Sequence, residues 1–75
     1  MNEKIKEIMA EILDIDEDDI SGEFGPDDTG NWDSLNNLQM ITALESEFEI
    51  TLTMSDIEQM TNFSKIVSTI ESYIV

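Results

Sequence analysis

The sequence predicts an all-α domain, a small four-helix bundle of three longer helices and one short helix. Three segments carry apolar residues at intervals of three and four, which is the spacing of one helix face. A fourth segment carries a helix-capping signature, and no segment alternates apolar and polar residues convincingly enough for a strand. A chain of 75 residues is short enough for one domain, which we expect to span residues 1–75 around a small core.

Apolar stripes place the three longer helices. The first stripe runs from Ile5 to Leu13, the second from Leu35 to Phe48, and the third from Phe63 to Ile74. We assign the apolar residues of the second stripe to a single face: Leu35, Leu38, Ile41, Leu44 and Phe48, with Met40 and Ala43 broadening it. Three helices that each carry such a face, joined by loops, can pack into a bundle.

The short helix is predicted from its N-terminal signature. Ser55 is followed three residues later by Glu58, which is the pattern of a capping box. We therefore expect a short helix over residues 56–60. Thr61 or Asn62 would then cap the last helix.

A long loop separates the first and second helices. The segment 15–33 contains all three glycines and the single proline of the chain. Ile20 and Phe24 are the apolar residues expected to anchor this loop to the core. The segment 48–52 alternates only briefly, and we interpret it as a linker whose apolar residues fold back on the bundle.

Composition excludes several classes of function. The chain has no cysteine and no histidine, which argues against disulfides, zinc, haem and histidine-based acid–base catalysis. Three basic residues against 18 acidic ones give a net charge of −15, which repels nucleic acid and anionic membranes and attracts basic partner surfaces. No apolar run has membrane-spanning length. We expect a cytoplasmic monomer without a membrane span.

The candidate site is Ser34, in the run Trp32-Asp33-Ser34-Leu35 at the start of the second helix. The first amides of a helix lack internal partners and, with the helix dipole, favour an anion such as a phosphodiester on the serine. Asp33 can cap the helix and help hold a magnesium ion brought by a phosphoryl-transferring partner. Leu35 begins the apolar face and would anchor the serine backbone. The alternative is that this dipeptide is a helix cap and nothing more.

The chain as a whole resembles the acyl carrier protein family over nearly all of its length. The resemblance rests on Asp33-Ser34-Leu35, on Ile41-Thr42-Ala43-Leu44-Glu45 and Glu47-Phe48, and on the order of the predicted helices. Gly30-Asn31-Trp32 before the serine looks like freestanding carriers.

The resemblance implies a carrier that enzymes act on and that is not itself an enzyme. Ser34 would accept 4′-phosphopantetheine from coenzyme A through a phosphopantetheinyl transferase, with Asp33 and Leu35 beside it. The arm would carry acyl or aminoacyl groups as thioesters in a fatty-acid, polyketide or another specialised biosynthetic pathway. Further partners would be an acyl- or aminoacyl-activating ligase, and synthases or transferases with basic docking surfaces.

The residues after the serine depart from the best-known fatty-acid carriers, which have acidic residues there. The predicted partner-binding residues of the second helix are Asn36, Asn37, Gln39, Met40, Glu45 and Glu47. Since the first three are neutral amides, we expect docking near the arm to use hydrogen bonds and apolar contacts from Leu35 and Met40. This departure favours a dedicated carrier in a specialised pathway.

The acidic loop suggests a different class of protein. Asp14, Asp16 and Asp18 have the spacing of a calcium loop, but Asp19 and Gly25 occupy positions that need glycine and glutamate. We therefore predict no metal site, with a calcium-responsive protein as one rival. The other rival is an unmodified acidic interaction module.

Two further features left alternatives open. The methionines at positions 9, 40, 54 and 60 either line an adaptable cargo tunnel or fill the core. Trp32 either packs beside the arm site or covers the loop.

Overall fold

The computed structural model describes residues 2–74; Met1 and Val75 lie outside the described residues. Four α-helices form in this range: α1 (Asn2–Leu13), α2 (Ser34–Phe48), α3 (Met54–Gln59) and α4 (Phe63–Ile74). Two short 3-10 turns, Glu17–Asp19 and Pro26–Asp28, lie in the loop between α1 and α2. No strand occurs among residues 2–74. The predicted all-α architecture of three longer helices and one short helix is confirmed.

The core receives side chains from α1, α2 and α4 and from the connecting segments. Its most completely buried members are Ile5, Met9, Leu13, Met40, Leu44, Ile66 and Ile70. Burying one such side chain stabilises the fold by roughly 1.5–3 kcal/mol. Ile20 and Phe24 are also buried, so the predicted anchors of the long loop are confirmed. Leu52 is buried after α2, as expected for a linker that folds back on the bundle.

The apolar residues of α2 divide between two faces of the helix. The core face holds Met40, Ile41 and Leu44. Leu35 and Leu38 are 65% and 61% exposed, so their assignment to the core-facing stripe was wrong. Leu35 precedes Leu44 by about two and a half helical turns, which places the two side chains on opposite sides of α2.

The short helix begins two residues earlier than the sequence predicted. Thr53 is its N-cap: the Asp56 N–H donates to Thr53 Oγ1 at 3.1 Å, and the Thr53 N–H donates to Asp56 Oδ2 at 3.2 Å. The capping box is therefore Thr53 with Asp56, and the Ser55–Glu58 pair was the wrong choice. A capping residue stabilises its helix by roughly 1 kcal/mol.

Helix α4 is capped by Asn62 and by the long loop. The Lys65 N–H donates to Asn62 Oδ1 at 2.8 Å, which decides between the two predicted caps. The N–H groups of Phe63 and Ser64 donate to the carbonyls of Phe24 and Gly22, at 2.9 and 3.0 Å. The first amides of a helix have no partners inside it, and here the loop carbonyls supply them. The loop between α1 and α2 is thus fastened to the start of α4.

Gly25 allows the loop to approach α4 this closely, and its replacement tests the contact. A Cβ at position 25 would lie 3.0 Å from the Thr61 carbonyl oxygen. We expect Gly25→Ala to lower the free energy of unfolding by about 1–3 kcal/mol, because the backbone must shift to relieve the overlap. Urea denaturation followed by circular dichroism measures this change.

Gly22→Ala is the matched control in the same loop, because a Cβ there meets nothing within 4 Å. We expect it to be neutral or to stabilise the fold by up to about 1 kcal/mol, through the unfolded state. Equal losses of stability in the two variants would contradict the close-contact explanation.

A side-chain hydrogen bond ties the end of α4 to the start of α3. The Tyr73 hydroxyl donates to Asp56 Oδ2 on the protein surface. This bond, with those from Thr53, lowers the pKa of Asp56, and the same bond to Asp56 raises the pKa of Tyr73. This bond therefore holds the last turn of α4 against the start of α3.

The ionisation of the Tyr73 hydroxyl can be measured directly, because Tyr73 is the only tyrosine of the chain. We expect its phenolate absorbance to appear with a midpoint above the ordinary value of 10.0, and Asp56→Asn to bring the midpoint back toward 10.0. The raised Tyr73 pKa means that its contribution to stability is present below pH 10.0 and is lost as the pH rises through the raised value. An unchanged midpoint in the variant would show that Asp56 does not accept this bond.

Candidate functional site

Ser34 is the first residue of α2, and Asp33 is the N-cap before it. Asp33 has extended backbone, and its Oδ1 accepts the Asn36 N–H at 2.9 Å while its carbonyl accepts the Asn37 N–H at 2.8 Å. The predicted capping role of Asp33 is confirmed. Since Asp33 performs the capping, the exposed Ser34 hydroxyl is not needed for it. The serine is thus held by the helix start and presented to solvent.

Asn31 fixes the approach to this helix start, a role the sequence did not reveal. Its side-chain amide donates to the carbonyl of Leu13 at 2.7 Å, across 18 residues of chain. Its own carbonyl accepts the Asn36 side-chain amide at 2.7 Å and the Asp33 N–H at 3.0 Å. The end of α1 and the start of α2 are therefore joined through one asparagine.

Trp32 connects the long loop to α2. It is 9% exposed, and its ring stacks on Phe24 with ring centroids 6.1 Å apart and an interplanar angle of 24°. Its indole N–H donates to Asn37 Oδ1 at 3.1 Å. Trp32 therefore covers the loop, which was one of its two predicted roles, and it also lines a cleft that contains Ser34.

The cleft beside the serine lies between the start of α2 and the end of α3. It has a volume of about 260 Å³ and is lined by Pro26, Trp32, Asp33, Ser34, Asn37, Ile57, Met60 and Thr61. Its walls combine apolar surface with amide, carboxylate and hydroxyl groups. Such a lining suits a flexible chain that contains both methylene and amide groups.

The predicted partner-binding residues have different surroundings. Gln39 and Glu47 are exposed, whereas Asn36, Asn37 and Glu45 are half-buried. Glu45 Oε2 accepts the Leu52 N–H at 2.8 Å, so this carboxylate also holds the segment after α2. The three half-buried side chains therefore have structural contacts of their own.

Met40 and Leu35 correct two expectations. Met40 is 1% exposed in the core, so the prediction that it contacts partners was wrong. Leu35 is largely exposed and does not anchor the serine backbone, which the Asp33 cap and the Asn31 contacts hold instead. Of the other methionines, Met9 and Met60 are buried and Met54 is 71% exposed, so they do not form one continuous lining.

The chain as a whole is strongly acidic, with three basic residues against 18 acidic ones. Within residues 2–74 an ion pair joins Lys4 to Glu7, at 3.8 Å. No three carboxylates in the described part of the chain converge in a way that could hold a metal ion. The helices formed by residues 2–74 are too short or too polar to cross a lipid bilayer.

Fold and site together define a helical domain with an exposed serine at the start of its second helix, in a chain that has no imidazole or thiol to activate that serine. The family model described as phosphopantetheine attachment site matches residues 3–70. The chain belongs to this family, whose members are carrier domains that bear covalently attached 4′-phosphopantetheine. The predicted family and cofactor are confirmed. The exposed Ser34 and its mixed cleft fit such a group.

Two substitutions of Asp33 distinguish the effect of its capping hydrogen bond on stability from the effect of its negative charge. Both Asp33→Ala and Asp33→Asn remove one negative charge, but asparagine caps a helix about as well as aspartate does. We expect Asp33→Ala to lower the free energy of unfolding by about 1 kcal/mol relative to Asp33→Asn. Urea denaturation at fixed ionic strength measures the difference, and equal stabilities would contradict the capping role of the carboxylate.

Proposed function

We propose that this chain is a freestanding carrier protein that bears 4′-phosphopantetheine on Ser34 and carries acyl or aminoacyl groups as thioesters to partner enzymes. The observation that supports this most strongly is the exposed hydroxyl of Ser34 at the first position of α2, beside a cleft and behind a separate capping residue. When bound, the arm supplies the thiol that a cysteine-free chain lacks.

The helix start provides a favourable place for the phosphodiester. The dipole of α2, which runs for 15 residues, favours negative charge at the Ser34 end. Transfer from coenzyme A would form a bond between Ser34 Oγ and the phosphorus that bears the pantetheine arm, and would break the phosphoanhydride bond, so that the adenosine bisphosphate leaves. In this proposal a base of the transferase takes the serine proton. Asp33 lies next to Ser34, where it can help orient the magnesium ion of that enzyme.

Partners follow from the carrier role. They are a phosphopantetheinyl transferase, an acyl- or aminoacyl-activating ligase, and synthases or transferases with basic docking surfaces. Exposed Gln39 and Glu47 and half-buried Asn36, Asn37 and Glu45 are proposed to face them. The pathway is fatty-acid, polyketide or another specialised biosynthesis, and the neutral amides after Ser34 favour the specialised kind. The carrier is proposed to act as a monomer in the cytoplasm.

Intact-mass measurement tests the attachment residue. The chain is incubated with coenzyme A, magnesium and a broad-specificity phosphopantetheinyl transferase. We expect the native chain to gain the mass of one phosphopantetheine and Ser34→Ala to gain none, while both keep the same helicity. Ser64→Ala is the matched control, because Ser64 is also exposed in the first turn of a long helix, and this variant should still be modified.

Modification of Ser34→Ala would show that another residue accepts the arm. A native chain that stays unmodified while a control carrier is modified would contradict the proposal and favour an acidic interaction module.

A further inference from the structure

A second cavity adjoins the Ser34 cleft at the end of α3. This α3–α4 cavity has a volume of about 390 Å³ and is lined by Glu58, Gln59, Thr61, Lys65, Ser68 and Thr69. Thr61 lines both this cavity and the cleft that contains Ser34. The two spaces therefore meet at Thr61, and a flexible chain that leaves Ser34 through the cleft can continue into the second cavity.

The phosphopantetheine arm is long enough to follow this route. Its length is that of about five extended residues, or roughly 17 Å. The Cα atoms of the described chain extend over 28 × 23 × 19 Å, so an arm on Ser34 reaches across much of the domain. The α3–α4 cavity adjoins the cleft in which that arm begins. The loaded end of the arm therefore has access to the side chains that line the cavity.

Lys65 supplies an amine to the α3–α4 cavity and is the only basic residue after Lys6. The other two lysines belong to α1 and have partners: Lys4 forms an ion pair within α1, and the Lys6 ammonium lies 5.5 Å from the centroid of the Phe63 ring. Within residues 2–74 no ion pair involves Lys65, although Glu58 lines the same cavity. The amine of Lys65 is thus accessible to a group that enters the cavity.

The chain offers a thioester few nucleophiles of its own. Thiols, imidazoles and unprotonated amines attack thioesters, but this chain has no cysteine and no histidine, and its only side-chain amines are those of three lysines. An acyl group held in the same cavity as Lys65 reacts with an effective concentration that free reactants do not have. The hydroxyls of Thr61, Ser68 and Thr69 also line the cavity, where they can donate to the carbonyl oxygen as negative charge develops on it.

Resting on the proposed function, we propose that Lys65 is a self-acylation site that takes the acyl group from the arm on Ser34. The unprotonated Nζ attacks the thioester carbonyl carbon, so that an N–C bond forms and the C–S bond breaks. The nitrogen loses a proton to water and the leaving sulfur gains one. The products are an amide on Lys65 and the free thiol of the arm. The reaction limits how long the carrier holds an acyl group that no partner collects.

A chemically loaded carrier tests this reaction. A broad-specificity phosphopantetheinyl transferase attaches acetyl-phosphopantetheine from acetyl-coenzyme A to the native chain, which is then repurified and incubated. Neutral hydroxylamine removes thioesters and leaves amides, so the retained acetyl group is read from the intact mass and located by fragment masses. We expect it on Lys65, and we expect it to form faster as the pH rises because the unprotonated amine is the nucleophile. The rate should not depend on protein concentration, because the transfer occurs within one molecule.

Lysine-to-arginine variants provide matched controls. Arginine keeps the positive charge, but its guanidinium stays protonated and is not a nucleophile. We expect Lys65→Arg to retain at least about tenfold less acetyl amide than the native chain, and Lys6→Arg to retain a native amount, since Lys6 lies outside the cavity. Ser34→Ala incubated with acetyl-coenzyme A should stay unacetylated at Lys65, because the acetyl group arrives on the arm.

The possible outcomes separate this proposal from the carrier function. A loaded native chain that forms no hydroxylamine-resistant amide, or that forms it mainly elsewhere than on Lys65, would overturn self-acylation and leave the carrier function in place. A rate proportional to protein concentration, or equal acetylation of Ser34→Ala, would also overturn it, because the group would then come from another molecule. A native chain that cannot be loaded at all would instead overturn the carrier function.

Discussion

The position of Ser34 depends on hydrogen bonds that fasten the loop between α1 and α2 to the ends of three helices. The Asn31 side chain holds the last carbonyl of α1, the Asn31 carbonyl receives an amide from the first turn of α2, and the carbonyls of Gly22 and Phe24 receive the first amides of α4. Helix ends have unpaired backbone groups, and here the loop satisfies several of them at once. The loop therefore needs little regular structure of its own to be ordered.

The neutral amides that follow Ser34 gain a structural meaning from this arrangement. Asn36 donates to the loop backbone, and Asn37 accepts the Trp32 indole N–H. Carboxylates at these positions could accept from the indole but could not donate to a carbonyl. Amides at positions 36 and 37 thus make the contacts with the loop. The same amides therefore hold the loop against α2 and leave the surface beside Ser34 uncharged.

Local signals in the sequence were sufficient for much of the fold and of the site. The Asp33 cap and the anchors Ile20 and Phe24 depend on residue type and near neighbours, and these were predicted. The cap of α4 was predicted only as Thr61 or Asn62, and the structure decides for Asn62. The two faces of α2 could not be separated from spacing, because Leu38 is three residues before Ile41 and fits either side. Only the packing of the rest of the chain on Met40 and Leu44 decides which side is buried. The Asn31–Leu13 bond spans 18 residues and has no local pattern to reveal it.

Trp32 also has a consequence for how this carrier can be observed. It is the only tryptophan of the chain, and its ring contacts the loop through Phe24, α2 through Asn37 and the cleft that contains Ser34. Tryptophan fluorescence therefore comes from a single reporter at the place where loop, helix and serine meet. Its emission tracks the order of the loop and the filling of the cleft without any attached dye.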